Sequence, residues 1–142
     1  MKIAGIIAEY NPFHKGHGLL IRKARENGAT HIVAVMSGNY VQRGEAAIFS
    51  QRARTQAALA CGADLVLQLP VVYAASGAQS FAGAGVRILD ALGCVDELVF
   101  GSECGDAKKL SDTDVKTMTA YEVSVSKLAA FDAGEDFDID SE

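Results

Sequence analysis

Cysteine is scarce in this chain: Cys61, Cys94 and Cys104 are the only three, odd in number and far apart. They form no C-x-x-C pair, so neither a zinc knuckle nor a disulfide framework is supported. Plain buried or half-buried thiols in a reducing compartment are the expectation. Proline is scarcer still, two residues against fourteen glycines, which points to many tight turns between regular elements. No apolar run approaches the ~18 residues of a membrane span. The start, one lysine followed by a short apolar stretch that Glu9 interrupts, does not read as a signal peptide. A cytoplasmic protein with no membrane partner is therefore expected.

Positive charge is also short overall, with a formal net of −5, but the deficit is local. From Gly105 onward lie ten acids and four bases, a net of −6, whereas the first 104 residues carry +1. The acidity belongs to the tail, so a nucleic-acid partner for the core is not ruled out by net charge. At 142 residues the chain has the size of one domain with one buried core.

What is present is a repeated alternation. Lys2 to Ala8, His31 to Met36, Asp64 to Leu69 and Glu97 to Phe100 are short apolar runs, as expected of strands buried on both faces. Between them lie helical stretches. The first runs from about Lys15 to Asn27 with Gly28 beyond it. The second is capped by Ser50 and reaches Cys61 before Gly62, and the third spans Ser76 to Leu92 before Gly93. The caps match helix chemistry, with a hydroxyl at the start and glycine past the end. Strands and helices alternating in this way predict an α/β fold, a Rossmann-like parallel sheet flanked by helices. Residues 1–105 are assigned to this core. Residues 106–142 are assigned to a divergent acidic segment, partly helical or disordered, with a weak helix over Lys116 to Phe131. Five of its last eight residues are acidic.

The chemistry concentrates in Glu9 to Leu19, EYNPFHKGHGL. His14 and His17 flank Gly16 where the first strand hands over to the first helix, and in a parallel sheet that edge binds ligands. A helix start offers unpaired N–H groups and a partial positive charge, which suits a phosphate. Gly16, lacking Cβ, would let a nucleotide approach the backbone closely. Two imidazoles three residues apart, on one side of the first turn, could donate to one polyphosphate and stabilise charge on a leaving pyrophosphate. A single histidine at a helix start is usually a cap or a surface residue. A zinc site would need a third ligand, and none is nearby. His31 opens a strand and reads as structural.

His14-Lys15-Gly16-His17 resembles the HxGH signature of the nucleotidyltransferases related to class I aminoacyl-tRNA synthetases. More narrowly, four blocks in order resemble the bacterial tRNA(Met) cytidine acetate ligase family: IIAEYNPFHKGH, VMSGNYVQRGEAAIF, DLVLQLPVVYAASGAQSFA and LVFGSECGD. Together they cover nearly all of residues 1–106, and the family's proteins are longer, so the chain resembles a truncated catalytic core. The resemblance implies an enzyme that activates acetate with ATP as acetyl-adenylate. It then acetylates N4 of the wobble cytidine of elongator tRNA(Met). It places ATP on Ile7, Ala8, Glu9, Tyr10, Asn11, Pro12, Phe13, His14, Lys15, Gly16, His17, Gly18, Leu19, Leu20 and Gly101. His14 and His17 are the implied catalytic pair. Mg²⁺ is expected with the triphosphate and no metal ligands from the protein.

The second block supplies a possible substrate loop, Ser37, Asn39, Gln42 and Arg43, with Arg43 the candidate for a carboxylate or phosphate. Gln68 and Tyr73 are further cleft candidates. Arg52 and Arg54 open the second helix, where they could meet tRNA phosphates or simply form a solvated face. A sheet without a fifth strand would leave an edge open to the tail or to a homodimer. Two other readings stay open: a nucleotidyltransferase acting on a small phosphorylated cofactor precursor, and a non-catalytic nucleotide-binding module.

Overall fold

The computed structural model describes residues 1–102 and 128–132. Strand β1 is Ile3–Ala8, β2 His31–Ser37, β3 Leu65–Leu69, β4 Glu97–Ser102 and β5 Leu128–Asp132. Helix α1 is Lys15–Glu26, α2 Gln51–Ala60, α3 Val71–Ala74 and α4 Ala78–Ala91. All strand pairings are parallel, in the order β3-β2-β1-β4-β5. No helix among the described residues is long and apolar enough to cross a membrane.

Alternation along the strands builds a core on each face of the sheet. Ala4 and Ile6 of β1 and Ile32, Ala34 and Met36 of β2 pack with Ile21 and Ala24 of α1 and Ala58 of α2. Val33, Val35 and Leu98 pack on the other face with Ala74, Phe81, Ala84 and Leu89 of α3 and α4. Helix α4 lies close: a Cβ on Gly85 would meet the Ile7 side chain at 2.7 Å. The helix ends follow the local chemistry, since Ser50 caps α2 by accepting from Ala53 N–H. Gly28 and Gly62 leave α1 and α2 at φ of 95° and 110°, a conformation that favours glycine.

Several expectations are corrected. The third helical stretch is the single helix α4, and a short helix that the sequence reading did not offer, α3, precedes it directly after Pro70. A fifth strand exists: Leu128–Asp132, within the stretch expected to be helical, pairs with β4 from Leu98–Leu128 to Ser102–Asp132. Strand β3 is an edge and is only partly buried. Cys61 and Cys94 are exposed free thiols, not buried ones. Each stands just past a helix, Cys61 as the residue after α2 and Cys94 in the loop before β4, where there is little packing. Cys104, residues 116–127 of the expected helix and the acidic end lie outside the described residues.

Candidate nucleotide-binding site

Strand order decides where a ligand can sit. Connections leave β1 toward β2 on one side, while β4 flanks β1 on the other. The chain direction of the order reverses there, and the crevice beyond the carboxyl ends of β1 and β4 is the switch point. His14 to His17 follow β1 directly into that crevice. Gly101, near the end of β4, reaches the same edge: continuing the register from Gly5–Leu98 brings it level with Ala8. An added Cβ at Gly101 meets nothing within 4 Å among the described residues.

His14 is the N-cap of α1, and its Nδ1 accepts the Gly16 N–H at 3.1 Å. His17 returns the bond, its Nδ1 accepting the His14 N–H at 3.2 Å. This is a capping box built from two imidazoles. A backbone N–H can only donate, so each ring presents a bare Nδ1 and carries its proton on Nε2. The rings stack with centroids 3.7 Å apart. The Tyr10 ring meets His17 edge-on at 4.9 Å, and Phe13 lies 4.8 Å from Tyr10. Burial, and then the neighbouring His14, push the His17 pKa down to about 4. His17 is thus a neutral donor near pH 7.

This geometry revises two expectations. The N–H of Gly16 is not free for phosphate, because His14 takes it. Gly16 is glycine for another reason: its Cβ would meet the His14 ring at 3.0 and 3.2 Å. The space above Gly16 belongs to an imidazole, and the ring Nε2–H groups are the donors that the cap does not use.

The rest of the first block divides between framework and surface. Ile7 packs against α4, and Ala8 and Leu20 pack on the other face. Tyr10 is 1% exposed, has left-handed backbone (φ 50°), and its buried hydroxyl has no partner among the described residues. Desolvation raises its pKa to about 12. Glu9 Oε1 accepts the Gln42 N–H at 2.8 Å and Asn11 Oδ1 accepts the Ile48 N–H at 2.7 Å. The second block is therefore fastened onto the first by two side chains that the sequence offered as ATP contacts. Pro12 and Lys15 are exposed, Phe13 and Leu19 half-buried, and Gly18 buried against α1 and Phe13.

The possible substrate loop splits likewise. Arg43 is exposed on left-handed backbone (φ 64°), and its N–H donates to Ser76 O at 3.3 Å. Strained backbone of this kind collects at functional sites. Gln42 is half-buried, and Asn39, though exposed, accepts the Gln51 N–H at 3.0 Å. Ser37 is 0% exposed, and its carbonyl and hydroxyl face Arg54. It belongs to the interior, not to a substrate surface. Gln68 is bonded to Gln51 Nε2 at 3.0 Å, and Tyr73 is exposed on α3. Arg52 is exposed, but Arg54 is 2% exposed and cannot meet RNA. The only sequence signal for its burial was its place in the first turn after the Ser50 cap. Among the described residues, no group of three or more His, Cys, Asp or Glu side chains could hold a metal.

The model of the HIGH nucleotidyl transferase family matches residues 1–137, beyond the segment where the sequence motifs end. The tRNA(Met) cytidine acetate ligase of Caldicellulosiruptor bescii is 52% identical over 114 residues, covering 80% of this chain and 28% of that protein. The Listeria welshimeri protein of the same name is 51% identical over 128 residues, 89% of this chain and 32% of its own length. The chain thus spans about three-tenths of the length of these relatives. A crystal structure of Thermotoga maritima TmcAL bound with alpha-thio ATP superposes with a TM-score of 0.78 at 44% identity, covering 85% of this chain and 30% of that one.

Proposed function

The chain belongs to the HIGH nucleotidyl transferase family, and from that premise we propose that its carboxyl-edge crevice binds ATP and activates acetate for transfer to tRNA. The observation that carries the reading is the imidazole pair at the switch point. Both Nδ1 atoms of His14 and His17 are engaged by the backbone, and both Nε2–H groups are left for a ligand. The relatives named tRNA(Met) cytidine acetate ligase, and the alpha-thio ATP carried by T. maritima TmcAL, support the choice of substrates.

In this reading the first block, Ile7 to Leu20, and Gly101 enclose the nucleotide. Acetate needs no general base, since it is already an anion. One of its oxygens forms a bond to the α-phosphorus as the bond to pyrophosphate breaks. The Nε2–H donors of His14 and His17 stabilise the charge that builds on the phosphate oxygens, and the remaining work is alignment. Mg²⁺ accompanying the triphosphate supplies further charge neutralisation. Arg43, exposed and held at the rim, takes the acetate carboxylate. The N4 amine of the wobble cytidine of elongator tRNA(Met) then attacks the acetyl carbon, AMP leaves, and N4 gives up a proton.

The test is ATP–pyrophosphate exchange by the purified chain with Mg²⁺ and without tRNA. Exchange that requires acetate is expected. Exchange driven by a phosphorylated acceptor instead would make it a cofactor-type nucleotidyltransferase. ATP binding with no exchange under any condition would reduce these residues to a nucleotide-binding module.

A further inference from the structure

We infer that Arg54 is a positioning residue that holds the nucleotide half and the substrate half of the crevice in register. Arg54 lies in the first turn of α2, buried, and its guanidinium reaches three separate segments. Nη1 donates to Glu9 O at 2.5 Å, Ser37 O at 3.2 Å and Ser37 Oγ at 3.4 Å. Nε donates to Phe49 O at 3.0 Å, and Nη2 donates to Gly38 O. None of these partners is a carboxylate. A buried guanidinium is costly to desolvate, and burial lowers its pKa, with Glu9 opposing that shift. Its bonds go to carbonyls at the exits of two neighbouring parallel strands.

One exit leads to the imidazole pair and the other to the proposed substrate loop. Glu9 ends the β1 exit and leads through Tyr10 to the His14–His17 pair. Ser37 and Gly38 end β2 and lead into Asn39 to Arg43. Parallel pairing holds β1 and β2 together up to Ala8–Met36. Beyond that pair the ladder stops, and the guanidinium takes over as the cross-link. Its planar fork can meet several carbonyls at fixed angles, which the single ammonium of lysine cannot do. Loosening it shifts one exit against the other while leaving each exit's own contacts in place. Transfer chemistry is sensitive to such misplacement, since about 1 Å can cost on the order of 100-fold in rate.

The catalytic half of this inference rests on the acetate-activation reading, and the test keeps the two apart. Arg54→Lys is compared with the parent chain in three measurements: affinity for an ATP analogue, acetate-dependent exchange, and amide hydrogen exchange. ATP-analogue affinity is expected to change less than about threefold while acetate-dependent exchange falls about 100-fold. The amides of Gln42 and Ile48, which bond to the β1 exit, should exchange at least about tenfold faster, and those of β1 should not. In Arg54→Ala, guanidinium at millimolar concentration should restore the protection of Gln42 and Ile48, and urea should not. A parent chain without exchange activity would sink the acetate reading alone, since the amide protection still reports the clamp. Unchanged protection and activity in Arg54→Lys would overturn the inference. So would losses of ATP affinity, exchange and melting temperature in one common proportion, which would make Arg54 merely structural.

Discussion

The two edges of the sheet handle polar groups in opposite ways. At the amino edge, Asp96 and Asp64 receive strand starts, and Asp64 and Glu97 pair with cations. Asp96 accepts the Ile3 N–H at 2.7 Å, and Asp64 accepts the Ile32 N–H at 2.6 Å while pairing with Arg25 at 2.6 Å. Glu97, buried, pairs with Lys2 at 2.9 Å. At the carboxyl edge the side chains turn onto the backbone: Glu9 and Asn11 hold loop amides, Arg54 holds carbonyls, and the two histidines cap α1. The first edge pairs Asp64 and Glu97 with cations, while Glu97 Oε1 is buried without a partner among the described residues. The second closes its geometry but leaves neutral donors pointing outward, a surface able to take an anion without first giving up a partner.

Breaking the carboxyl edge should produce the largest effect. His14→Asn keeps a side chain well suited to the N-cap while removing the imidazole donor. His17→Ala removes the other. Each should lower acetate-dependent exchange on the order of 100-fold, with the melting temperature of His14→Asn within a few degrees of the parent by calorimetry. Normal exchange in both variants would remove the histidines from the chemistry and dissolve the contrast between the edges.

The amino edge should respond in stability alone. Asp64→Ala loses the acceptor for the Ile32 N–H and the partner of Arg25. Because that pair is partly exposed, roughly 1–2 kcal/mol in urea unfolding is expected, with ATP-analogue affinity unchanged. A matching loss of affinity would mean that the two edges are energetically coupled.

The smallest effect is one of pH. The folded His17 binds its proton only near pH 4, against 6.5 for an unperturbed imidazole. Between those values the unfolded chain holds more protons, so this contribution to stability is complete above about pH 6.5 and fades as pH falls toward 4. Melting temperature against pH should show this slope in the parent and a shallower one in His17→Gln. Equal slopes would place the acid sensitivity elsewhere.

Much of this was legible in the residues because it is local. Ser50 announced α2, Gly28 and Gly62 announced helix ends, and the imidazoles around Gly16 marked the ligand edge. Arg54 was not legible, since nothing in its neighbours along the chain distinguishes a solvated helix arginine from one that faces two strand exits. The role of Gly16 was misread for a similar reason. The His14 ring that fills its space turns back across the helix start, and that is a matter of side-chain direction, not of spacing. Cys61 and Cys94 look like core residues by type, yet each falls just past a helix where little packs upon it.

By itself the sequence determined the alternation of strand and helix, the caps and the parallel class of the sheet, and it marked the segment proposed to bear the chemistry. All of these follow from periodicity and from residues within a few positions of one another. Only the tertiary structure decided the order β3-β2-β1-β4-β5, which sets the switch point beside His14 and enlists Leu128–Asp132 as a fifth strand. It also decided that one buried guanidinium joins the exits of β1 and β2. Strand order and long-range hydrogen bonds depend on which distant surfaces bury each other most completely, and no local pattern encodes that outcome.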